Sequence, residues 1–287
     1  MLRAPKTPFD MERARRLQLH AGTVEHYLDP DLYDHEYRRR RADVNYYRAL
    51  AAAHGRDVLE LGCGSGRLLV PLVRDGARVV GLDYSQPMLR RCGERISRLR
   101  PAARERAQLV RGDFRRFHLG RRFPLIACPF NAMMHLYTHE EMAAFLGCVR
   151  AHLLPAGLFA FDVLNPDLRW LSRDPDRRWA RTRFKDPKTG RAYYYSTNQT
   201  YDAATQIAWI RIFYDPADPP QSPRATESPH GVTRSRIVHI AHRQLFPEEL
   251  RALLSYNGFT IEAREGDVDG SPFESESDLQ VVRCRVA

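Results

Sequence analysis

Long apolar runs are absent from this chain, and lysine is nearly so. No stretch of its 287 residues stays apolar over the roughly 20 positions a spanning helix needs, which excludes a helical membrane protein and a membrane partner. Lysine occurs only at Lys6, Lys185 and Lys188, so the net charge of +10 is almost wholly arginine, a bias that a GC-rich genome also produces. The densest basic stretches are 38–41 and 111–122, the latter broken by acidic and apolar residues. No basic stripe interleaved with aromatics is present, so the charge reads as a solvated surface and does not point to nucleic acid. Cysteine pairing motifs are missing as well. Cys63, Cys92, Cys128, Cys148 and Cys284 form no Cys-x-x-Cys, which argues against a disulfide framework or a zinc site. Reduced thiols fit a cytoplasmic location, and the charged start at Met1 to Lys6 has no apolar segment of the kind secretion requires. With 43% hydrophobic residues the chain can bury a full core, in one or two domains.

What is present is concentrated at 58–66. A short apolar strand, Val58-Leu59-Glu60-Leu61, runs into Gly62-Cys63-Gly64-Ser65-Gly66, and a helical pattern follows at once. Glycines at the tip of a parallel strand let a ligand lie on bare backbone. The dinucleotide fingerprint needs glycines at relative positions one, three and six. Here they stand at one, three and five, with Arg67 at the sixth, which disfavours a nicotinamide oxidoreductase.

Two further strand ends carry carboxylates. Val79-Val80-Gly81-Leu82 ends at Asp83, where an acidic side chain can accept from both hydroxyls of a ribose. Tyr84 and Met88 follow, able to pack on an adenine face. A third strand, Gln108-Leu109-Val110-Arg111-Gly112, ends at Asp113-Phe114, where the carboxylate can accept from an adenine amino group. In this order and at these separations the three elements resemble the class I S-adenosylmethionine-dependent methyltransferases. The resemblance implies that Glu60, Gly62, Cys63 and Gly64 hold the methionine part of S-adenosylmethionine. It assigns Asp83 with Tyr84 and Met88 to the nucleoside, and Gly112, Asp113 and Phe114 to the adenine. S-adenosylhomocysteine would be the product.

The pattern of elements predicts an α/β fold: a Rossmann-like, doubly wound sheet of seven strands with an antiparallel β insertion after strand five. Residues 1–50 read as a helical cap, 51–164 and 244–287 as the Rossmann-like domain, and 165–243 as the inserted subdomain roofing an acceptor site. Strands four and five are expected at 124–128 and 157–163, the helix between them ending near Leu154-Pro155. In the insertion, 193–201 and 207–214 read as a hairpin and 236–245 as another strand. The proline-rich stretch 215–232 reads as a loop, in the position of a lid. A helix at 247–256 and strands at 259–264 and 280–286 complete the sheet, the last antiparallel by the resemblance. The inserted sheet offers an edge for pairing with a second copy, so a homodimer is one expected arrangement.

Residues after strand four and in the N-terminal segment narrow the resemblance to bacterial small-molecule methyltransferases of natural-product and deoxysugar pathways. Those residues are Tyr33-Asp34-His35-Glu36-Tyr37, Asn131-Ala132-Met133-Met134-His135-Leu136, and the ending at 266–273. It implies that Tyr37 closes over the methionine part, that Asn131 borders the cofactor, and that His135, near the start of the next helix, faces a small-molecule acceptor. Transfer to an amine or a hydroxyl is expected, the hydroxyl needing a general base. The alternatives are an RNA or protein methyltransferase with the same cofactor half, and a non-catalytic cofactor-binding protein. Against the first, Cys128-Pro129-Phe130-Asn131 stands where nucleic-acid amino-methyltransferases carry Asn-Pro-Pro-Tyr.

Overall fold

The computed structural model describes residues 8–217 and 235–287. Helices α1 (Pro8–Val24), α2 (Pro30–Tyr37) and α3 (Ala42–Ala53) lead into β1 (Asp57–Leu61). Then follow α4 (Leu69–Arg74), β2 (Arg78–Asp83), α5 (Gln86–Ser97), α6 (Pro101–Arg104), β3 (Ala107–Arg111) and β4 (Phe123–Cys128). Helix α7 (His139–His152), β5 (Leu153–Leu164) and α8 (Leu168–Leu171) precede four strands, β6 (Trp179–Lys185), β7 (Ala192–Asp202), β8 (Ile207–Pro216) and β9 (Arg236–Arg243). Helix α9 (Pro247–Tyr256), β10 (Phe259–Glu265) and β11 (Leu279–Val286) end the described chain.

The main sheet has the order β10-β11-β5-β4-β1-β2-β3, with β11 antiparallel to both neighbours and the rest parallel. The α/β reading, with seven strands and an antiparallel last one, is what the structure shows. From β1 the chain winds one way through β2 and β3, then crosses to β4 and β5, so the β1–β4 boundary is the switch point where open α/β sheets bind ligands. Alternation along β1 explains its burial on both faces. Leu59 and Leu61 enter the core shared with β4, β5 and α7, while Val58 faces that of α3 and α4.

Strands β6, β7, β8 and β9 form a separate antiparallel sheet. Its inner face presents Tyr193, Ile212, Tyr214, Val238 and Ile240 to Leu32 of α2. The hairpin between β7 and β8 turns where Asp202 accepts from the Ala204 N–H at 3.1 Å and the Thr205 hydroxyl at 2.6 Å. The free edge of β9 is covered: the His239 N–H donates to Glu25 at 2.9 Å, and the Ala241 carbonyl accepts from Tyr137 at 3.1 Å. Gly22 lies so close to this edge that a Cβ there would stand 2.5 Å from that of Ala241.

Details depart from the sequence reading. Strand β5 starts directly at Leu153, because Leu153 already pairs with Phe123 of β4, so α7 stops at His152 and not near 154–155. Strand β6 was not resolved as an element by the alternation, since its middle residues are exposed and arginine-rich. The proline-rich stretch lies, from residue 218 onward, outside the described residues.

Candidate active site

The glycine turn is fastened to the end of β2. Gly62 and Cys63 donate to the Leu82 carbonyl at 2.8 and 3.2 Å, and Gly64 donates to Asp83 Oδ2 at 2.7 Å. Asp83 Oδ1 accepts from Ser85 N–H at 2.7 Å. Burial pushes the Asp83 carboxyl up, opposed by these backbone bonds. Each carboxylate oxygen keeps acceptor capacity beyond one bond, so Asp83 can still serve two hydroxyls. The three turn glycines differ in purpose. A Cβ on Gly62 would stand 3.0 Å from Ala132, and one on Gly66 would stand 2.5 Å from Cys92 Sγ. Around Gly64, whose φ is +53°, nothing lies within 4 Å. Gly62 and Gly66 therefore serve packing, and Gly64 presents open backbone.

Beneath the turn, Glu60 is 2% exposed and its Oε2 has no hydrogen-bond partner. Burial pushes its carboxyl well above the usual range. A buried acceptor left empty is costly, and a donor at the turn would relieve it. The open Gly64 backbone, the empty Glu60 oxygen and Asp83 together fit an amino-acid nucleoside such as S-adenosylmethionine. Cys63 itself is core, its Sγ directed at Gly81, and Met88 is buried in α5. Tyr84 is half exposed beside Asp83.

The third carboxylate is differently placed. Asp113 is gripped by Arg115, whose Nη2 lies 2.7 Å from Oδ2 and whose Nε lies 2.9 Å from Oδ1. Burial raises the Asp113 carboxyl, but Arg115 more than offsets this and holds it below its ordinary value. Arg115 also pairs with Glu141 of α7, so this loop is tied to the next helix. Gly112 donates to the Asp83 carbonyl at 3.0 Å, and Phe114 packs edge-on to Phe145 at 5.3 Å. An adenine at Asp113 would share the carboxylate with Arg115.

After β4 the backbone turns left-handed twice, at Phe130 (φ 60°) and Asn131 (φ 64°). For phenylalanine this conformation is unfavourable and persists only if neighbours impose it. Asp162 of β5, fully buried, does so: both its oxygens accept from the Phe130 N–H at 3.0 Å, and Tyr47 donates to it at 2.7 Å. Asn131 Oδ1 accepts from Leu164 N–H at 2.8 Å, so its side chain spends its acceptor on β5. The guanidiniums of Arg40 and Arg67 both lie over the Phe130 ring, at 4.7 and 4.5 Å. Arg67 in turn grips buried Asp43 of α3, with contacts of 2.9 and 2.5 Å. Asp34 of α2 accepts from Ser65 of the turn at 2.6 Å and pairs with Arg91 and Arg95 of α5 at 2.9 and 2.6 Å. The N-terminal helices are thus latched onto the glycine turn by ion pairs.

His135 ends a 3-10 turn (Ala132–His135) that precedes α7; it is not at the start of that helix. Thr138 caps α7 and keeps it from starting sooner. The His135 ring sits under the N-terminal segment. Tyr27 bonds its Nε2 at 2.7 Å and Tyr137 its Nδ1 at 3.2 Å. Tyr137 donates to the Ala241 carbonyl, so the network assigns Nδ1–H as donor to Tyr137 and Nε2 as acceptor from Tyr27. Burial lowers the imidazole to about 4. It is therefore neutral at physiological pH, with both nitrogens engaged. Tyr37 bonds His26 Nε2 at 3.3 Å, and its ring stands edge-on to Phe130 at 4.8 Å.

Of the residues expected from the sequence, Glu60, Gly62, Gly64 and Asp83 come together at the turn. Tyr37, Asn131 and His135 lie on the facing side, around the loop after β4. Asp113 and Phe114 stand apart, held by Arg115 and by α7. Sequence reasoning missed Asp162, Asp43 and Asp34. Asp162 had a signal, a lone carboxylate within an apolar strand; Asp34 stood inside the Tyr33–Tyr37 motif without a role of its own, and Asp43 had none in its local sequence.

Residues 58–157 match the family model described as a methyltransferase domain. The chain is 34% identical over 123 residues to a dTDP-3-amino-3,6-dideoxy-alpha-D-glucopyranose N,N-dimethyltransferase of Streptomyces fradiae, a match covering 43% of this chain and 45% of that one. It spans about half the length of that relative. It is also 26% identical over 229 residues to the cypemycin N-terminal methyltransferase of a Streptomyces species, covering 79% and 82%. Among solved structures it is similar to the CcbJ methyltransferase of Streptomyces caelestis, with TM-score 0.68 and 22% identity over 86% of this chain and 90% of that one. Residues 58–157 thus match a methyltransferase domain, and the fold of the chain is similar to that of solved methyltransferases.

Among the described residues no helix is long and apolar enough to cross a membrane, and no cluster of histidine, cysteine or carboxylate side chains could hold a metal ion.

Proposed function

We propose that this chain is an S-adenosylmethionine-dependent methyltransferase acting on an amine or hydroxyl of a small molecule. The observation that carries the reading is the joint geometry of Gly64, Glu60 and Asp83: open backbone, an empty buried acceptor, and a carboxylate anchored by two backbone N–H groups. When bound there, S-adenosylmethionine supplies a methyl group on a sulfonium, a strong electrophile. Gly64 would face its methionine part and Asp83 its ribose, with Gly62 shaping the turn. Asp113 would share its carboxylate with the adenine. Sulfonium chemistry asks the protein mainly to align donor and acceptor and to exclude water. Tyr37, Phe130 and the latched α2 close that side of the turn. His135, neutral and held at both nitrogens, orients Tyr27 and is a positioning residue on the acceptor side. What supports a small acceptor is that N-terminal helices reach the turn, through Asp34 on Ser65 and Asp43 on Arg67. The amine-methylating relatives agree with this reading.

The test is turnover with S-adenosylmethionine across a panel of amino and hydroxyl sugars and short peptides, read by mass spectrometry. A mass gain of one methyl group with matching S-adenosylhomocysteine supports the reading. Failure of the protein to bind either form of the cofactor would overturn it.

A further inference from the structure

Between α2 and the inner face of the small sheet lies a polar cluster whose carboxylate the cofactor side does not use. Glu36 is at its centre. His26 Nε2 lies 4.0 Å from Glu36 Oε2, and Tyr37 bonds that same His26 nitrogen at 3.3 Å. Tyr195 of β7 and Tyr214 of β8 are cross-strand partners with rings 5.9 Å apart, edge to face. The Tyr214 and Tyr37 hydroxyls are close enough to favour the ionised form of Glu36. Even so, Glu36 Oε2 and the Tyr214 hydroxyl are both buried with no partner at hydrogen-bonding geometry. His26 does not neutralise the carboxylate, because burial lowers its imidazole to about 4. Arg236, whose guanidinium lies 5.9 Å from the Tyr214 ring, is paired with Asp29 at 3.2 Å. The cluster is adjacent to the candidate active site: the Tyr33 ring is 4.7 Å from that of Tyr37, and its hydroxyl feels the charges of both Asp83 and Glu36.

An empty carboxylate oxygen, a tyrosine hydroxyl that can also accept and three tyrosine rings suit a compact cation rich in N–H donors. A neutral hydroxyl has one donor and would leave a buried carboxylate short. We propose that Glu36, walled by Tyr37, Tyr195 and Tyr214, takes the methyl acceptor as an ammonium ion and removes one of its protons. This rests on the methyltransferase reading above and makes the acceptor an amine. The proton passes to a Glu36 oxygen, and the N–H electron pair stays on nitrogen as the lone pair. The new N–C bond forms from that pair, while the electrons of the breaking C–S bond remain on sulfur. The product is again an ammonium ion, and Glu36 must shed its proton to solvent before another cycle. Burial pushes the Glu36 carboxyl up to about 7, against the pull of the two hydroxyls, a value suited to exchanging a proton near neutral pH.

The experiment is thermal unfolding of the protein saturated with S-adenosylhomocysteine, titrated with cyclohexylammonium and, separately, with cyclohexanol of the same shape. Cyclohexylammonium raises Tm in a saturable manner and cyclohexanol does not. Glu36→Gln weakens the apparent affinity for cyclohexylammonium at least tenfold while keeping the shift produced by S-adenosylhomocysteine, which shows that the variant is folded. Tyr214→Phe weakens it severalfold. No ammonium response in the wild type, an equal response to cyclohexanol, or a Glu36→Gln variant that responds like wild type would each overturn the proposal. A wild type that gains nothing from S-adenosylhomocysteine would instead overturn the methyltransferase reading, and the ammonium titration without it would still judge Glu36.

Discussion

The two halves of the site are built in opposite ways. The glycine turn is held through its own backbone: the N–H groups of Gly62, Cys63 and Gly64 all bond to the tip of β2, the next strand in the chain. The facing half is made of side chains drawn from α2, the loop after β4 and the strands of the small sheet. Its buried groups are only partly satisfied, with Glu36 Oε2, the Tyr214 hydroxyl and His242 Nδ1 unpartnered. A backbone-built half recognises a constant ligand. A half built from side chains can be changed residue by residue, which suits the partner that varies between related enzymes. Asp34 and Arg67 join the two.

Breaking the joint has the largest expected effect. Arg67→Leu leaves Asp43, 2% exposed, as a buried charge without its partner, at a cost of about 3–5 kcal/mol. Denaturant unfolding reads it, and a loss under about 1 kcal/mol would mean that the cap is not fastened through this pair. Next comes the backbone-built half. Asp83→Ala removes the acceptor for two hydroxyls and strands the Gly64 N–H, so affinity for S-adenosylhomocysteine falls about 100-fold or more by calorimetry.

A pair of glycine variants then separates packing from binding. Gly66→Ala drives a methyl group into Cys92 at φ +79° and costs about 2–3 kcal/mol of stability. Gly64→Ala, at φ +53° in open space, costs about 1 kcal/mol but obstructs the ligand, so it loses affinity out of proportion to stability. Equal behaviour of the two would erase the distinction drawn between them.

The last comparison is of pH dependence, whose sign differs between groups. His26 and His135 have folded values near 4, below the ordinary 6.5, so unfolding takes up protons at acid pH. Their contribution is fully present above 6.5 and is lost as pH falls towards 4, by roughly 1 kcal/mol per pH unit for each histidine. Glu36 works the other way: its value is raised from 4.5 to about 7, so it destabilises progressively as pH rises through that interval. Glu36→Gln should therefore be more stabilised relative to wild type at pH 8 than at pH 5, measured by Tm at both.

The difference between the halves also explains what could be read from the sequence. The antiparallel end came from the family resemblance, whereas the strands other than β6, their order of appearance and helix α9 follow from apolar runs and turns that lie next to one another in the chain. Glu60, the turn glycines and Asp83 were legible for the same reason. Glu36 and Tyr214 were not, because 178 positions of sequence separate groups that only the packing of α2 on the small sheet brings together. Asp113 shows the limit from the other side. It stands at the expected strand tip, but Arg115, two residues on, holds it in a grip that spacing alone does not reveal. His135 was found by its neighbours in sequence, and the bond from Tyr27 altered the role assigned to it.

The central claim is that the turn at 62–66 binds an S-adenosyl nucleoside. Calorimetric titration of the wild-type protein with S-adenosylhomocysteine tests it most directly. The account predicts saturable one-to-one binding that Asp83→Ala weakens about 100-fold or more and Tyr214→Phe leaves intact. An absence of binding heat, or equal binding by Asp83→Ala, would contradict it.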